Sequence, residues 1–197
     1  MAETDRHFQL MVDLRLALER WFKADPNVYV SGNLLLFYEE GNKRRHVSPD
    51  VFVVLGVPKG ERLNYLLWEE GRGPNVAIEL TSSSTRREDT RQKFDLYRDV
   101  LRVPEYFVFD PFGDYLTPRF QGYRLTAGQY RPMRLQGGRL RSRQLDLWLE
   151  PDGNALRLID PETGRRLPTP AETEAELERL RAENAALRRR PTGRNGH

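Results

Sequence analysis

The stretch Val76–Pro111 decides the fold: VAIEL (76–80), TSSSTRREDTRQKFDLYRDVLRV (81–103), PEYFVFDP (104–111). VAIEL is an apolar run of strand length, and EYFVF (105–109) is another. Between them, Phe94, Tyr97 and Leu101 recur at helical spacing, and Pro104 ends the helix. Thr85 and Glu88 have capping-box spacing, which marks the helix start. Strand, helix, strand in this order predicts a parallel βαβ unit with a right-handed crossover.

Upstream, VFVVLGV (51–57) is continuously apolar, as a strand buried on both faces must be. It follows VYVSGNLLLFYEE (28–40), a turn at GNKRR (41–45) and HVSPD (46–50), which together read as strand, turn, strand. PKGERLNYLLWEEG (58–71) reads as a long, partly exposed connection or a hairpin. A first helix is expected from His7 to Lys23, with Met11, Leu14, Leu18 and Trp21 on one face and ADPN (24–27) breaking it. Downstream, FQGYRL (120–125), YRPMRL (130–135), LDLWLE (145–150) and LRLID (156–160) predict a β-rich extension of the sheet, punctuated by Gly and Pro.

The tail differs in kind. AETEAELERLRAENAALRRR (171–190) is composed almost wholly of helix formers. Leu177, Leu180 and Leu187 fit a and d positions of a heptad and Asn184 an a position, which favours a mate across a two-stranded coiled coil. The alternative is a single solvated helix, because about two heptads are marginal alone. The expected organisation is a body over 1–164, a linker at 165–170, a coiled-coil helix at 171–190 and a disordered end at 191–197, with homodimerisation through 171–190.

Composition limits the chemistry. With no cysteine among 197 residues, disulfides and thiolate metal sites are excluded, in keeping with a cytoplasmic protein. His7, His46 and His197 are too scattered to read as a histidine cluster, so a metal here would take oxygen ligands, as Mg²⁺, Mn²⁺ or Ca²⁺ does. No apolar run approaches membrane-spanning length. The net charge of +3 resides in the tail: eight Arg and five Glu lie from Arg165 onward, leaving 24 basic and 24 acidic residues before it. Net charge therefore gives no argument that the body binds nucleic acid.

Two carboxylates stand out against the apolar pattern. Asp50 opens the VFVVLGV strand after Pro49, and Glu79 lies inside VAIEL. A buried, ionised carboxylate is costly unless paired or metal-bound. A divalent cation between the two would relieve their repulsion, polarise a phosphate and activate a water. Taken singly, Asp50 also reads as a strand-opening residue and Glu79 as the partner of Arg86 or Arg87. On the following helix, Asp89, Lys93 and Tyr97 share one face. That face offers either an ordinary i, i+4 salt bridge or a lysine aimed at the carboxylates. Thr81–Thr85 reads as an anion-binding turn or as simple capping. Asp110 reads as a strand-end turn residue and His46 as an exposed loop residue.

VSPDVFVVLGV followed by VAIELTSSSTRREDTRQKFDLYRDVLRVPEYFVFDP resembles the Uma-type family of bacterial restriction endonucleases, within the PD-(D/E)XK nuclease superfamily. The likeness runs from Trp21 to Pro111 and keeps the motifs in order. It implies a restriction-endonuclease-like α/β core with a mixed central sheet flanked by helices. It implies a Mg²⁺- or Mn²⁺-dependent endonuclease acting on DNA, with Asp50, Glu79 and the Leu80 carbonyl holding the metal and Lys93 completing the catalytic set. Thr81, Asp89 and Tyr97 are accessory candidates. The superfamily pattern has lysine two residues after the glutamate, where this chain has Thr81. Lys93 resembles the lysine that the Uma-type family carries on the next helix instead. The alternative is a catalytically degenerate nuclease-fold protein that binds nucleic acid or a protein partner as a dimeric module.

Overall fold

A computed structural model describes residues 5–81 and 91–189. Residues 1–167 form one compact unit and 168–197 a second.

In the first unit, helix α1 (Asp5–Trp21) buries Leu10, Met11, Leu14, Ala17 and Leu18. A six-stranded sheet then takes β1 (Val28–Ser31), β4 (Val51–Leu55), β6 (Val76–Leu80), β7 (Glu105–Phe109), β8 (Phe120–Thr126) and β9 (Gln129–Pro132), adjacent in that order. β6 and β7 pair in parallel, as the βαβ reading requires, while β1–β4, β4–β6, β7–β8 and β8–β9 are antiparallel. The sheet is thus mixed, as expected. β6 and β7 are buried throughout, which explains their lack of polar alternation. Among the described residues no helix is long and apolar enough to cross a membrane.

The strand-turn-strand region is more divided than its sequence suggests. β2 (Leu36–Phe37) and β3 (His46–Val47) form a short hairpin, which β5 (Tyr65–Leu66) joins in a separate three-stranded sheet. β1 and β4 belong to the central sheet instead. A bend at Gly32 and the Pro49 position, which cannot donate to a ladder, separate the two layers. The connection 58–71 contains β5 and the short helix α2 (Leu67–Glu70).

Of the expected C-terminal strands, β8 and β9 extend the central sheet. β10 (Leu140–Ser142), β11 (Leu147–Asp152) and β12 (Ala155–Ile159) form their own antiparallel sheet. Its leucines Leu147, Leu149, Leu156 and Leu158 join the core made by α1, β4 and β6. Glu105 ties this sheet to β7. Its buried carboxylate accepts from Ser142 Oγ, the N–H groups of Arg143 and Gln144, and the Arg124 guanidinium. Asp110 ends β7 as a turn residue, accepting N–H bonds from Phe112, Gly113, Tyr115 and Leu116.

The second unit contains helix α4 (Pro170–Arg189). Thr169 and Glu172 form a capping box at its start: Glu172 N–H donates to Thr169 Oγ1 and Thr169 N–H to the Glu172 carboxylate.

Candidate active site

The register of β4 against β6 brings the two carboxylates together. Val51 opposes Ile78, Phe52 opposes Ala77 and Val53 opposes Val76. One step beyond the pairing, Asp50 comes opposite Glu79. The contact is direct: Asp50 N–H points at Glu79 Oε2 at 3.4 Å, and Leu80 N–H donates to Asp50 Oδ2 at 2.7 Å. Asp50 is 7% exposed and Glu79 0%.

The helix after β6 supplies the compensating groups. Helix α3 (Lys93–Asp95) runs directly into a π-helical turn, Leu96–Val100. Residues 93 and 97 project from the same side, as four-residue spacing on a helix provides. Lys93 Nζ lies 2.7 Å from Glu79 Oε2 and 3.4 Å from the Ser48 carbonyl. Tyr97 OH donates to Glu79 Oε1 at 2.6 Å. Both oxygens of a fully buried carboxylate are therefore engaged, one by a cation and one by a neutral hydroxyl. Burial, reinforced by the Glu79 charge, pushes the Tyr97 phenol well above its ordinary range, so it stays a donor at any working pH.

The other face of the sheet contributes a residue that sequence reading did not assign. His7 Nε2 of α1 lies 3.2 Å from Asp50 Oδ1, with both side chains largely buried. A signal for it exists. His7, Met11, Leu14 and Leu18 have the spacing of one helix face, and that face packs on the sheet. The stripe's first polar member thus reaches the strand mouth, where Asp50 stands.

Asp50, Glu79, Leu80, Lys93 and Tyr97 thus form one cluster. Thr81 is 2% exposed, and strand alternation puts it on the face of Glu79. Its Oγ1 is buried without a hydrogen-bond partner. Asp89, the Thr85–Glu88 cap, Arg86 and Arg87 lie outside the described residues. His46 is exposed, as expected.

The donor chemistry suits a hard divalent ion. Two carboxylates converge, and the Leu80 carbonyl leaves β6 on the same edge as the Leu80 N–H that meets Asp50. The Lys93 ammonium already shows that a cation is welcome at Glu79. Among the described residues no group of three or more His, Cys, Asp or Glu side chains is arranged to hold a metal, so backbone and water oxygens must complete any shell.

Residues 1–152 match the family model Uma2, described as "Putative restriction endonuclease". The chain belongs to the Uma2 family. Among solved structures, it is similar to a chain from Anabaena variabilis described as a putative nuclease belonging to DUF820. The TM-score is 0.53 at 12% identity, covering 74% of this chain and 76% of that one. At that identity the likeness speaks for the fold alone, which is restriction-endonuclease-like. No curated protein is similar enough to count as a match. The Uma2 match spans α1 as well as the βαβ unit, so His7 lies within it along with Asp50, Glu79 and Lys93.

Proposed function

We propose that this Uma2 protein is a metal-dependent endonuclease that hydrolyses phosphodiester bonds in DNA. The observation that carries the reading is the pair of buried carboxylates facing each other across β4 and β6, with the Lys93 ammonium 2.7 Å from one of them. Asp50, Glu79 and the Leu80 carbonyl would hold Mg²⁺ or Mn²⁺. Such an ion, when bound, polarises a phosphoryl oxygen and lowers the pKa of a water. The chain's own groups do the rest. Leu80 N–H fixes Asp50, and Tyr97 fixes Glu79 by donating its hydroxyl proton. Lys93 offsets negative charge as it builds on the phosphate, in a site dry enough to make that charge count. On this reading the lysine that the superfamily pattern puts on the strand is supplied from the helix, by Lys93. A cysteine-free chain is compatible with work in the cytoplasm.

The test is nicking of supercoiled plasmid in Mg²⁺ or Mn²⁺. Wild type should nick and EDTA should stop it, while Asp50→Asn should cut at least about 10²-fold more slowly with an unchanged circular dichroism spectrum. Full cleavage by Asp50→Asn would remove the assignment. A wild type that binds DNA, cuts nothing and takes up no Mn²⁺ by calorimetry would point to the degenerate binding module instead.

We further propose that α4 pairs with its counterpart in a second copy. Leu177, Leu180 and Leu187 are 45%, 42% and 54% exposed, an apolar seam that water does not favour. In the single chain the Asn184 amide donates to the Leu180 carbonyl one turn back. Light scattering should give a dimer for the full chain and a monomer after deletion of residues 171–197. A truncated protein that stays dimeric excludes α4 as the association device.

A further inference from the structure

A groove of about 470 Å³ opens beside the carboxylate cluster, lined by Tyr38, Arg45, His46, Ser48, Gln92 and Lys93 among others. Among the described residues no carboxylate lines it. Lys93 is the link: its ammonium touches Glu79, and its side chain also forms part of the groove wall. The opposite wall is the β2–β3 hairpin, whose tip carries Lys43, Arg44 and Arg45 in succession.

The tip is ordered before any ligand arrives. The Asn42 side chain donates to Glu39 Oε1 at 3.0 Å and accepts the Arg44 N–H at 3.2 Å, and the His46 ring meets the Lys43 carbonyl at 2.9 Å. Arg45 stands over the Tyr38 ring at 5.3 Å and bonds Glu39 at 3.1 Å. Both members of that ion pair are half-exposed, at 51% each. A solvent-screened pair of this kind is weak, so the guanidinium can exchange the carboxylate for a phosphate. Lys43 and Arg44 are exposed and make no ion pair with a carboxylate among the described residues.

A larger groove of about 870 Å³ lies between α1, β1 and residues 59–63, and it is basic only on paper. Arg15 pairs with Glu19, Arg62 with Glu70, and Lys59 donates to the carbonyls of Phe22 and Lys23. Of its cations, Lys59 and Arg62 are held by the chain itself, Glu19 and Glu61 add negative charge to its wall, and the carboxylate cluster does not line it. Because the body is electrically neutral overall, a polyanion must be drawn by a local field, and the hairpin groove is where exposed cations lead to the reacting groups.

We propose that the β2–β3 hairpin and the groove beside it hold the phosphate backbone of DNA, with Lys43, Arg44 and Arg45 as the contacts that seat a phosphate at Lys93. This inference rests on the nuclease reading for its partner, but it concerns binding and can fail separately. The contacts are to the backbone, so they supply affinity and register without reading bases.

The experiment uses the full chain in EDTA, where nothing is cut, and a short fluorescein-labelled DNA duplex followed by anisotropy across a range of salt. The triple variant Lys43→Ala/Arg44→Ala/Arg45→Ala should bind at least about 10-fold more weakly at low salt. Its slope of log affinity against log salt should shrink by about 2 to 3, since each lost phosphate contact removes about 0.9. Arg45→Gln alone, which removes the charge but keeps a polar side chain, should shrink the slope by about 1 and guards against a misfolded triple variant. Unchanged affinity and slope in the triple variant overturn the proposal. So does displacement of the duplex by polyglutamate as effective as that by unlabelled duplex of equal charge, which would mark a surface for acidic protein. If binding is lost in the variants while wild type cuts no plasmid, the surface stands and the nuclease reading falls. If wild type cuts and the triple variant cuts with the same KM, the nuclease reading stands and the surface falls.

Discussion

Lys93→Ala should slow plasmid cleavage by about 10³-fold at saturating Mg²⁺ and DNA, the scale expected when one preorganised charge is taken from a dry site. The residue has two tasks, and the variant separates them. In the metal-free protein Lys93 places a positive charge against Glu79, which has no solvent exposure and also accepts from the neutral Tyr97 hydroxyl. Removing one member of a buried pair costs about 3–5 kcal/mol, so urea unfolding in EDTA should show a loss of that order. Saturating Mn²⁺ should recover part of it, because a divalent ion neutralises Glu79 in the lysine's stead. Cleavage should not recover with it, because the Lys93 charge no longer faces the phosphate. Lys93→Ala with a wild-type cleavage rate would place the catalytic cation elsewhere.

Thr81 gives the complementary arm. It lies two residues beyond Glu79 on the same face of β6, and its buried Oγ1 makes no hydrogen bond. Adding Thr81→Lys to Lys93→Ala returns an ammonium to that face from the strand. If the requirement is a charge at one point in space, the double variant should cleave at least about 10-fold faster than Lys93→Ala alone. No gain would mean that Lys93 is needed for its path from the helix and not only for its charge.

The sequence made most of this arrangement legible because each piece left a local mark. Unbroken apolar runs marked β4, β6 and β7, and a carboxylate inside such a run was conspicuous in VAIEL. The Lys93–Tyr97 face followed from helical spacing, but Asp50 and Glu79 meet through the antiparallel register of β4 on β6, whereas the βαβ crossover joins β6 to β7. What stayed hidden depended on docking. Nothing local says that α1 lies across the mouth of β4, so the His7–Asp50 contact could not be read, although the stripe through Met11 pointed that way. The alternation in LDLWLE marked a half-buried strand without saying which sheet it joins. Its leucines turned inward on a separate sheet because β9 ends the central one. The hairpin likewise looked like one long strand pair, since a bend at Gly32 carries no hydrophobic signature.

Gly32→Ala should be the most damaging single methyl added to this protein. A Cβ there would stand 2.3 Å from the Asp50 carbonyl oxygen and 3.4 Å from its carbon. That oxygen is backbone and has no rotamer to move into, so β1 and the segment before β4 must separate. The Ser31–Phe52 pairing and the Asn33 N–H bond to the Pro49 carbonyl at 2.9 Å would both be strained. Overpacking of this kind costs about 1–3 kcal/mol even where side chains can yield, and here they cannot, so a loss of about 3 kcal/mol or more is expected in urea unfolding. Gly73→Ala, whose Cβ would approach no nearer than 3.4 Å to the Leu101 carbonyl, is the control and should change stability by under about 1 kcal/mol. Cleavage measured well below the unfolding transition carries the stronger inference. A shift of about 1 Å at a reacting group costs about 10²-fold, and Gly32 touches the very residue proposed to hold the metal. A Gly32→Ala protein that remains folded under the assay should therefore cut about 10²-fold more slowly, with DNA binding at the hairpin unchanged. Were it to cut at the wild-type rate, the exact seat of Asp50 would be unimportant to the chemistry, and the carboxylate pair would lose its claim to be the active centre.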